Sequence, residues 1–159
     1  RIIMEGIKVG DKMPLFGAKD QDGNDFYIQS VVHKKILVIY FYPKDETPGC
    51  TKQACSFRDE YKEIKAAGAE VIGISGDSAK SHKKFAQNHQ LPYILLSDDD
   101  KSIRKLFGVP SAMLGLISAR VTYVVDLQGI VQMVYNNMNA AEHTSRAFEA
   151  IKKIQKEHS

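Results

Sequence analysis

The feature that most constrains this chain is an uninterrupted apolar run, Ile36–Phe41, that leads into a segment holding both of its cysteines. A strand that is apolar at every position is typical of the centre of a sheet covered on both faces. After a short loop, residues 48–67 have the pattern of a helix, with Pro48 in the first turn and Gly68 just after the end. The sequence therefore predicts a strand–loop–helix unit with Cys50 in the first helical turn.

The rest of the chain alternates between strand and helix patterns. A turn at residues 20–25 joins two short N-terminal strands. Further strands are predicted at 70–75, 93–96, 120–126 and 130–135, and further helices at 78–90, 101–107 and 140–157. This order predicts an α/β protein in which a mixed central sheet has helices on both faces, in a single domain covering residues 1–159. With a cysteine at the tip of the first central strand, it is the order of a thioredoxin-like fold with an N-terminal β-hairpin extension.

Composition and charge argue against several function classes. The chain has 159 residues and a net charge of +3, and its lysines are scattered, so nucleic acid is not an expected partner. No apolar run approaches the length of a membrane span, so no membrane association is expected. The first residues resemble neither a signal peptide nor an organelle presequence. The C-x4-C spacing is not a usual zinc pair and the histidines have no metal-ligand spacing, so we expect no metal and assign the histidines no role.

Cys50 is the candidate nucleophile. The free N–H groups and the positive dipole end of a helix N-terminus favour an anion, and therefore favour the thiolate form of this cysteine. A fast reaction with an O–O or S–S bond also needs hydrogen-bond donors and a fixed positive charge near the sulfur. The candidate donors are the Thr47 hydroxyl and the backbone N–H groups of Gly49 and Cys50. The candidate charge is Arg120, because an arginine in a core strand is costly unless it is paired or functional.

The spacing of the two cysteines carries a mechanistic prediction. Cys55 follows Cys50 by five positions in the same predicted helix. Helical geometry then separates their Cα atoms by ~8–9 Å, whereas a disulfide requires Cα atoms within about 7 Å of each other. If these cysteines form a disulfide, the first turns of the helix must unwind.

At these residues the chain resembles the peroxiredoxins. Pro43, Thr47 and Cys50 match the family motif P-x-x-x-T-x-x-C. Residues 42–55, YPKDETPGCTKQAC, resemble the peroxiredoxin Q subgroup, also called bacterioferritin comigratory protein. The resemblance covers nearly the whole chain, and its further matching segments are residues 56–59, 73–76, 95–98 and 120–123.

The resemblance implies a function. It implies an antioxidant enzyme, a thiol-dependent peroxidase of the atypical 2-Cys type, that reduces hydrogen peroxide and small alkyl hydroperoxides without a cofactor. It assigns Cys50 as the peroxidatic cysteine and Cys55 as the resolving cysteine, and it places Pro43, Thr47 and Arg120 in the peroxide pocket. Thioredoxin or a related dithiol protein would reduce the Cys50–Cys55 disulfide. The resemblance further implies a monomer in the cytoplasm, with a plastid as the alternative because similar sequences occur in bacteria and in plastids.

Other interpretations of the same residues stay open. One is a thiol–disulfide oxidoreductase, although Thr47 stands where its first active-site cysteine would be. Another is a peroxide sensor that signals through the two cysteines. Cys55 is alternatively a packed core residue, Thr47 a helix cap and Arg120 a surface residue at a strand end. Arg58 is either a support for the site or part of a surface salt bridge, and residues 45–46 are expected to be solvated loop positions.

Overall fold

The computed structural model describes residues 6–112 and 117–157. The strands are β1 (Gly17–Asp20), β2 (Asp25–Tyr27), β3 (Ile36–Phe41), β4 (Ala69–Ser75), β5 (Ile94–Ser97), β6 (Ser111–Ala112), β7 (Ile117–Ser118), β8 (Val121–Val125) and β9 (Val131–Asn136). The helices are α1 (Pro48–Ala66), α2 (Ala79–His89), α3 (Ser102–Phe107) and α4 (His143–Glu157), with short 3-10 helices at Ile28–Ser30 and Ala140–Glu142. The predicted domain limits, 1–159, include residues 1–5, 113–116 and 158–159, which lie outside this description.

Strand β3 lies at the centre of a seven-stranded sheet with the order β2-β1-β5-β4-β3-β8-β9. It pairs in parallel with β4, which pairs in parallel with β5, and it pairs antiparallel with β8. Every residue of Ile36–Phe41 is buried, as its apolar run predicts for a strand between two covered faces. The hairpin of β1 and β2 extends the sheet through antiparallel pairing of β1 with β5. The predicted α/β architecture with an N-terminal hairpin is therefore confirmed.

Helices cover both faces of the sheet because alternate residues of each strand point to opposite sides. Val38 and Tyr40 belong to a core cluster shared with α1, α2 and α4. Leu37, Ile39 and Phe41 belong to a second cluster shared with α3 and the first 3-10 helix. The crossovers β3–α1–β4 and β4–α2–β5 run in the same direction along the sheet, and right-handed crossovers then place α1 and α2 on the same face.

Element boundaries follow the sequence pattern closely and differ most at the last helix. Helix α4 begins at His143 rather than at residue 140, because residues 140–142 form a tighter 3-10 turn. The start of that turn is capped by Asn139 Oδ1, which accepts a hydrogen bond from the Ala141 N–H at 2.9 Å. Arg120, which the pattern places inside a strand, precedes β8. The short pairing of β6 with β7 is not predicted by the sequence pattern.

Helix α1 begins shortly after the carboxyl end of β3. Thr47 is the N-cap residue, with an extended backbone, and Pro48 is the first helical residue, where its fixed φ suits a helix start. Gly68 follows the helix with a positive φ of 82°, a conformation that glycine adopts without steric cost. The N-terminus of α1 thus lies at the carboxyl edge of the parallel strands, where α/β proteins bind their ligands. Within the two described ranges, no helix has the length and apolar character that would let it cross a membrane.

Candidate active site

Cys50 is buried in the first turn of α1, with 1% of its surface exposed. Its sulfur accepts a hydrogen bond from Arg120 Nη1 at 3.4 Å, between residues 70 positions apart in the chain. Both cysteines are free thiols. A guanidinium donor at a helix N-terminus stabilises the thiolate relative to the thiol. The arrangement therefore favours nucleophilic chemistry at this sulfur.

The guanidinium of Arg120 is fixed by hydrogen bonds although only 4% of the residue is exposed. Nη1 also donates to Gln53 Oε1 (2.7 Å), and Nε donates to the Met138 carbonyl (2.9 Å). In the part of the chain that the structure describes, no carboxylate pairs with this guanidinium. A buried cation without a counter-ion is costly. A negative charge at Cys50 Sγ, which this guanidinium contacts, would offset that cost. The interpretation of Arg120 as an exposed strand-end residue is wrong.

Gly49 leaves space for the guanidinium beside the helix N-terminus. A Cβ atom at Gly49 would lie 3.0 Å from Arg120 Nη2, so a side chain there would displace the arginine. The first helical hydrogen bond runs from the Thr51 N–H to the Thr47 carbonyl (2.9 Å). The N–H groups of Gly49 and Cys50 precede that bond, so the helix itself does not use them. Their role as donors to a substrate stays a prediction.

Thr47 and Pro43 lie in the loop between β3 and α1. Thr47 is at the N-cap position, yet its hydroxyl donates to the Lys44 carbonyl (2.8 Å) instead of accepting a bond from the helix. The alternative that its side chain caps α1 is therefore wrong, and the Thr47 oxygen keeps its capacity to accept a hydrogen bond. Pro43 lines a cavity of about 250 Å³ at the carboxyl edge of the sheet together with Phe41 and Ile74, but Cys50, Thr47 and Arg120 are not among the residues that line it.

Cys55 lies in α1, one and a half turns after Cys50, and is half-buried. Five residues of helix rotate the side-chain direction by about 140°, so the two sulfurs point to different sides of α1. Intact helical geometry also keeps the two Cα atoms farther apart than the limit of about 7 Å for a disulfide. The two free thiols fit a reduced state with α1 intact, and a disulfide between them requires the first turns to unwind.

Gln53 is a site residue that the sequence analysis misses. It is fully buried about one turn after Cys50, and its side-chain oxygen accepts the hydrogen bond from Arg120. Its amide nitrogen has no hydrogen-bond partner among the described residues. Burying an amide with only one of its two polar groups hydrogen-bonded costs free energy. Packing alone therefore does not explain a glutamine at this position, whereas its bond to Arg120 does. The signal that points to Gln53 is its spacing of three residues from Cys50, which places both on one side of the helix.

Asp45 belongs to a buried network, and the prediction that it is a solvated loop residue is wrong. Its carboxylate accepts hydrogen bonds from the Tyr42 hydroxyl (2.6 Å), the Ser81 hydroxyl (2.8 Å) and His82 Nδ1 (2.7 Å). His82 is fully buried, and its Nε2 donates to the Leu96 carbonyl (2.9 Å). This network ties the loop between β3 and α1 to helix α2. The sequence carries no local signal for it, because the partners of Asp45 on α2 are distant in the chain.

The same network contains three groups of the kind that bind metal ions. Asp45, Asp77 and His82 each place one possible ligand atom within 4.8 Å of the others. Hydrogen bonds already occupy these atoms, since Asp77 Oδ2 accepts from the Ser75 hydroxyl (2.6 Å) and the Asp45 N–H (2.9 Å). The geometry is accounted for by hydrogen bonding without an ion.

Glu46 fastens the loop to the end of α2. Its backbone has a positive φ of 63°, and its carboxylate accepts hydrogen bonds from His89 Nε2 and Asn88 Nδ2, both at 2.8 Å. These two bonds, the His89 bond first, hold the pKa of Glu46 below its usual range. Arg58 on α1 donates to the His89 carbonyl (2.8 Å) and makes a surface salt bridge with Asp59 (3.0 Å). Helix α1, the loop and the end of α2 are therefore held together on the Cys55 side of the site.

Tyr40 and Tyr93 form a buried hydrogen-bond chain behind α1. The Tyr93 hydroxyl donates to the Ala54 carbonyl (2.9 Å), so the Tyr40 hydroxyl is the donor in the 2.8 Å bond between the two tyrosines. Burial is the main cause that raises the pKa of Tyr40 well above its usual range, and its hydroxyl stays protonated. The ring of Tyr40 lies over Gly73, where a Cβ atom would come within 2.9 Å of Tyr40 Cζ. These two hydrogen bonds anchor α1 at Ala54, between its two cysteines.

Comparisons with known sequences match the chain to one family of redox proteins. The sequence model of the AhpC/TSA family matches residues 9–134. The chloroplastic peroxiredoxin Q of Sedum lineare is 53% identical over 135 residues, which are 85% of this chain and 72% of that protein. The chloroplastic peroxiredoxin Q of Triticum aestivum is 49% identical over 154 residues, 96% of this chain and 70% of that protein. The chain spans 63% of the length of a third relative, the chloroplastic peroxiredoxin Q of Suaeda salsa, at 53% identity over 135 residues and 85% of this chain.

Solved structures agree with the sequence comparisons. The structure of peroxidoxin BcpB from Mycobacterium tuberculosis superposes with a TM-score of 0.88 at 34% identity, covering 93% of this chain and 98% of that one. A structure of peroxiredoxin Q from Xanthomonas campestris superposes with a TM-score of 0.80 at 30% identity, covering 87% of this chain and 90% of that one. The thioredoxin-like fold that the sequence predicts is therefore confirmed.

Proposed function

The chain belongs to the AhpC/TSA family as a peroxiredoxin of the Q type, and on this premise we propose that it is a thiol-dependent peroxidase that reduces hydrogen peroxide and small organic hydroperoxides. The observation that carries the proposal is the hydrogen bond from Arg120 Nη1 to Cys50 Sγ at the start of α1. It brings a nucleophile, a fixed positive charge and unused N–H donors together. Attack on an O–O bond needs all three.

The first step is attack of the Cys50 thiolate on one peroxide oxygen. An S–O bond forms, the O–O bond breaks, and the leaving alkoxide or hydroxide takes a proton from water. The sulfur is oxidised by two electrons and becomes a sulfenic acid. Arg120 and the N–H groups of Gly49 and Cys50 stabilise the charge that develops on the leaving oxygen. The Thr47 oxygen, whose own hydrogen goes to the Lys44 carbonyl, accepts the hydrogen of the bound hydroperoxide and orients it.

Pro43 completes the pocket in this proposal. It has no backbone N–H to offer to water or substrate, and it lies with Thr47 in the loop between β3 and α1. A rigid proline at this position limits the access of water to the reacting oxygen atoms. The active site therefore consists of Cys50, Thr47, Arg120 and Pro43, with the two backbone donors.

Cys55 resolves the sulfenic acid. Its thiol loses a proton and the thiolate attacks the oxidised sulfur of Cys50. An S–S bond forms, the S–O bond breaks, and the leaving hydroxide takes up one proton and departs as water. The support for this role is its place in the same helix and its partial exposure. A dithiol protein of the thioredoxin type then reduces the disulfide by thiol–disulfide exchange and is itself oxidised to a disulfide.

The relatives and the composition support a cellular setting. The plant relatives are named as chloroplastic proteins, which favours a plastid over the cytoplasm. The modest net charge of +3 fits a protein without a nucleic acid partner. We propose that the enzyme is a monomer that reacts with peroxide and with a dithiol protein in solution. Gel filtration of the reduced protein tests this oligomeric state.

The test of the function is peroxide consumption in an assay coupled to thioredoxin, thioredoxin reductase and NADPH. The wild type, Cys50→Ser and Cys55→Ser are compared, because serine matches cysteine in size and removes only the redox chemistry. We expect turnover in the wild type and none in Cys50→Ser. Cys55→Ser should consume one equivalent of peroxide and then turn over slowly or not at all with thioredoxin. A wild type with neither turnover nor a stoichiometric burst rules the proposal out, and insulin-disulfide reduction then tests the oxidoreductase alternative.

A further inference from the structure

His143 is a buried titratable residue to which the peroxidase chemistry assigns no role. Its side chain is fully buried at the start of α4, and both ring nitrogens have partners. Nε2 donates to the Asn137 carbonyl (2.8 Å), because a carbonyl can only accept. Nδ1 is then the acceptor for the Thr122 hydroxyl (2.7 Å). The Tyr135 ring meets the imidazole edge to face, with ring centroids 4.7 Å apart.

These partners belong to the two segments that hold Arg120. Thr122 is on β8, two residues after Arg120. Asn137 and Met138 follow β9, and both bond to the arginine. The Asn137 N–H donates to the Arg120 carbonyl (3.1 Å), and the Met138 carbonyl accepts from Arg120 Nε (2.9 Å). The imidazole of His143 therefore connects two segments. One is β8, which follows Arg120 directly, and the other is the loop whose Met138 carbonyl accepts a hydrogen bond from the Arg120 guanidinium.

The loop is held by hydrogen bonds more than by packing: the Asn139 N–H donates to Asn137 Oδ1 (2.9 Å), and Asn139 Oδ1 accepts from the Ala141 N–H (2.9 Å). Residues 136–139 are all exposed, and Met138 is 54% exposed. Its side chains therefore contribute little packing, and the position of the Met138 carbonyl depends on the hydrogen bonds of the neighbouring residues. The bond from His143 to the Asn137 carbonyl is one that connects this loop to the buried interior.

We propose that His143 is a positioning residue for Arg120, which holds the loop at residues 137–139 so that the Met138 carbonyl aims the guanidinium at the Cys50 sulfur. The inference deepens the proposed peroxidase function and rests on it, since it concerns the residue assigned there to stabilise the thiolate and the leaving oxygen. Because the ring must donate at one nitrogen and accept at the other, a neutral imidazole fits the site. Burial, together with the charges of Arg120 and Arg146, lowers the pKa of His143 and supports that neutral form.

The test compares two substitutions of His143 by residues with an amide side chain. Each keeps one of the two hydrogen-bonding groups of the imidazole. The amide nitrogen of His143→Gln lies near the place of Nε2 and can still donate to the Asn137 carbonyl. His143→Asn keeps an oxygen near the place of Nδ1 for Thr122 but cannot reach Asn137. The rate constant for reaction of reduced Cys50 with hydrogen peroxide is measured in a single turnover. We expect His143→Asn to be slower by ~10- to 100-fold, the cost of a misplaced catalytic group, and His143→Gln to stay within about threefold of the wild type.

A second readout does not need peroxidase activity. Alkylation of Cys50 by iodoacetamide across a range of pH reports the thiolate alone, and is followed at this residue by peptide mass spectrometry. We expect the midpoint of that profile to rise in His143→Asn and to stay in place in His143→Gln. The matched control is His33→Asn, the same substitution at an exposed histidine that bonds the Leu127 carbonyl (2.9 Å), and it should change neither readout.

A double-mutant cycle with Arg120→Lys separates positioning from general damage. If His143 acts through Arg120, adding His143→Asn to Arg120→Lys should change the peroxide rate by less than about twofold. Losses that multiply, or a His143→Gln variant as slow as His143→Asn while thermal unfolding shows both folded, would overturn the inference. If the wild type does not react with peroxide, the proposed function fails. The alkylation profile then still decides whether His143 supports Arg120.

Discussion

Arg120 Nη1 lies 2.7 Å from Gln53 Oε1 and 3.4 Å from Cys50 Sγ, so one nitrogen serves both a fixed amide and the reacting sulfur. The short bond holds the nitrogen in place, and the longer one is the bond that a substrate oxygen can replace. In the proposed reaction, negative charge moves from the sulfur to the leaving oxygen, and the guanidinium can follow it with little motion. Preorganised donors of this kind are effective because they need no rearrangement during the reaction.

This relationship predicts that charge alone does not replace the arginine. Arg120→Lys keeps a cation but cannot reach the sulfur, Gln53 and Met138 together, because lysine lacks the planar fork of donors. We expect the second-order rate constant for hydrogen peroxide to fall by ~10²- to 10³-fold. Alkylation of Cys50 by iodoacetamide, which needs the thiolate but no stabilised leaving oxygen, should fall much less.

The control for that substitution is Arg146→Lys, an arginine on α4 that pairs with Glu142 (3.3 Å) and lies over the Tyr135 ring. It should leave both rates within about twofold of the wild type, as expected of a surface position. Equal losses of peroxide reaction and alkylation in Arg120→Lys would mean that the arginine acts only on the thiolate.

A second prediction concerns helix α1 after oxidation. Because the two cysteines cannot bond while the helix is intact, the disulfide should unwind its first turns. The amides of residues 51–55 should therefore lose protection from hydrogen exchange. Residues 58–66 should keep theirs, because Tyr93 holds the Ala54 carbonyl and Arg58 is bonded to the end of α2. Exchange measured by mass spectrometry on reduced and oxidised protein checks this.

Cys55→Ser treated with one equivalent of peroxide is the control for the exchange experiment. It undergoes the same oxidation at Cys50 but cannot close the disulfide, so α1 should keep its protection. An oxidised wild type that contains the disulfide by mass and yet retains full protection at residues 51–55 would contradict the prediction.

Local pattern was sufficient to predict the frame of this site. The apolar run of β3, Pro48 at the helix start and Gly68 at the helix end each act within a few residues, so the sequence predicts both the strand–loop–helix unit and the place of Cys50. The contact between Cys50 and Arg120 spans 70 residues. No periodicity reaches that far, so Arg120 is indicated by the cost of an arginine in a core strand and by the family resemblance.

The polar residues whose burial the sequence does not predict share a physical cause. Asp45 has the composition of a solvated loop residue, and its burial is decided by His82 and Ser81 on a helix that packs over the loop. The sequence assigns the histidines no role, because their spacing fits no metal site. His143 instead makes single hydrogen bonds to two other segments. Polar burial of this kind follows from tertiary packing and leaves no trace in local hydrophobicity.

A third prediction tests the space that Tyr40 needs. An added methyl group in Gly73→Ala would lie 2.9 Å from both Tyr40 Cζ and Leu95 Cδ2. The ring must then move in a close-packed core, and its hydroxyl moves away from Tyr93. We expect a loss of ~1–3 kcal/mol in the free energy of unfolding, the usual cost of overpacking, measured by urea denaturation of the reduced protein. Gly76→Ala is the matched control, because its added carbon would meet only the Asp98 carbonyl at 3.7 Å, and it should cost less than about 0.5 kcal/mol.

The last prediction is a loss of stability in mild acid that comes from His143. Burial is the main cause that lowers its pKa from 6.5 in the folded protein, and the charges of Arg120 and Arg146 act in the same direction. Below about pH 6.5 the unfolded chain therefore binds a proton that the folded chain does not, and folding stability falls as the pH falls towards the lower folded-state pKa. Above that pH the imidazole is neutral in both states and the penalty disappears. Neither arginine loses its charge in this range, so neither relieves the effect.

The measurement is the free energy of unfolding in urea at pH ~7.5, ~6.5 and ~5.5, on reduced wild type, His143→Gln and His33→Asn. His143→Gln has no proton to bind and should show a flatter decline than the wild type. His33→Asn removes an exposed histidine and should follow the wild type. Glu46, whose pKa is lowered by His89 and Asn88, loses its stabilising effect only nearer the ordinary range of a carboxyl, so it does not obscure the comparison. If the free energy of unfolding of His143→Gln declines with falling pH as steeply as that of the wild type, the acid sensitivity comes from another group. The neutral imidazole of His143 is then not the cause of the lower stability in mild acid.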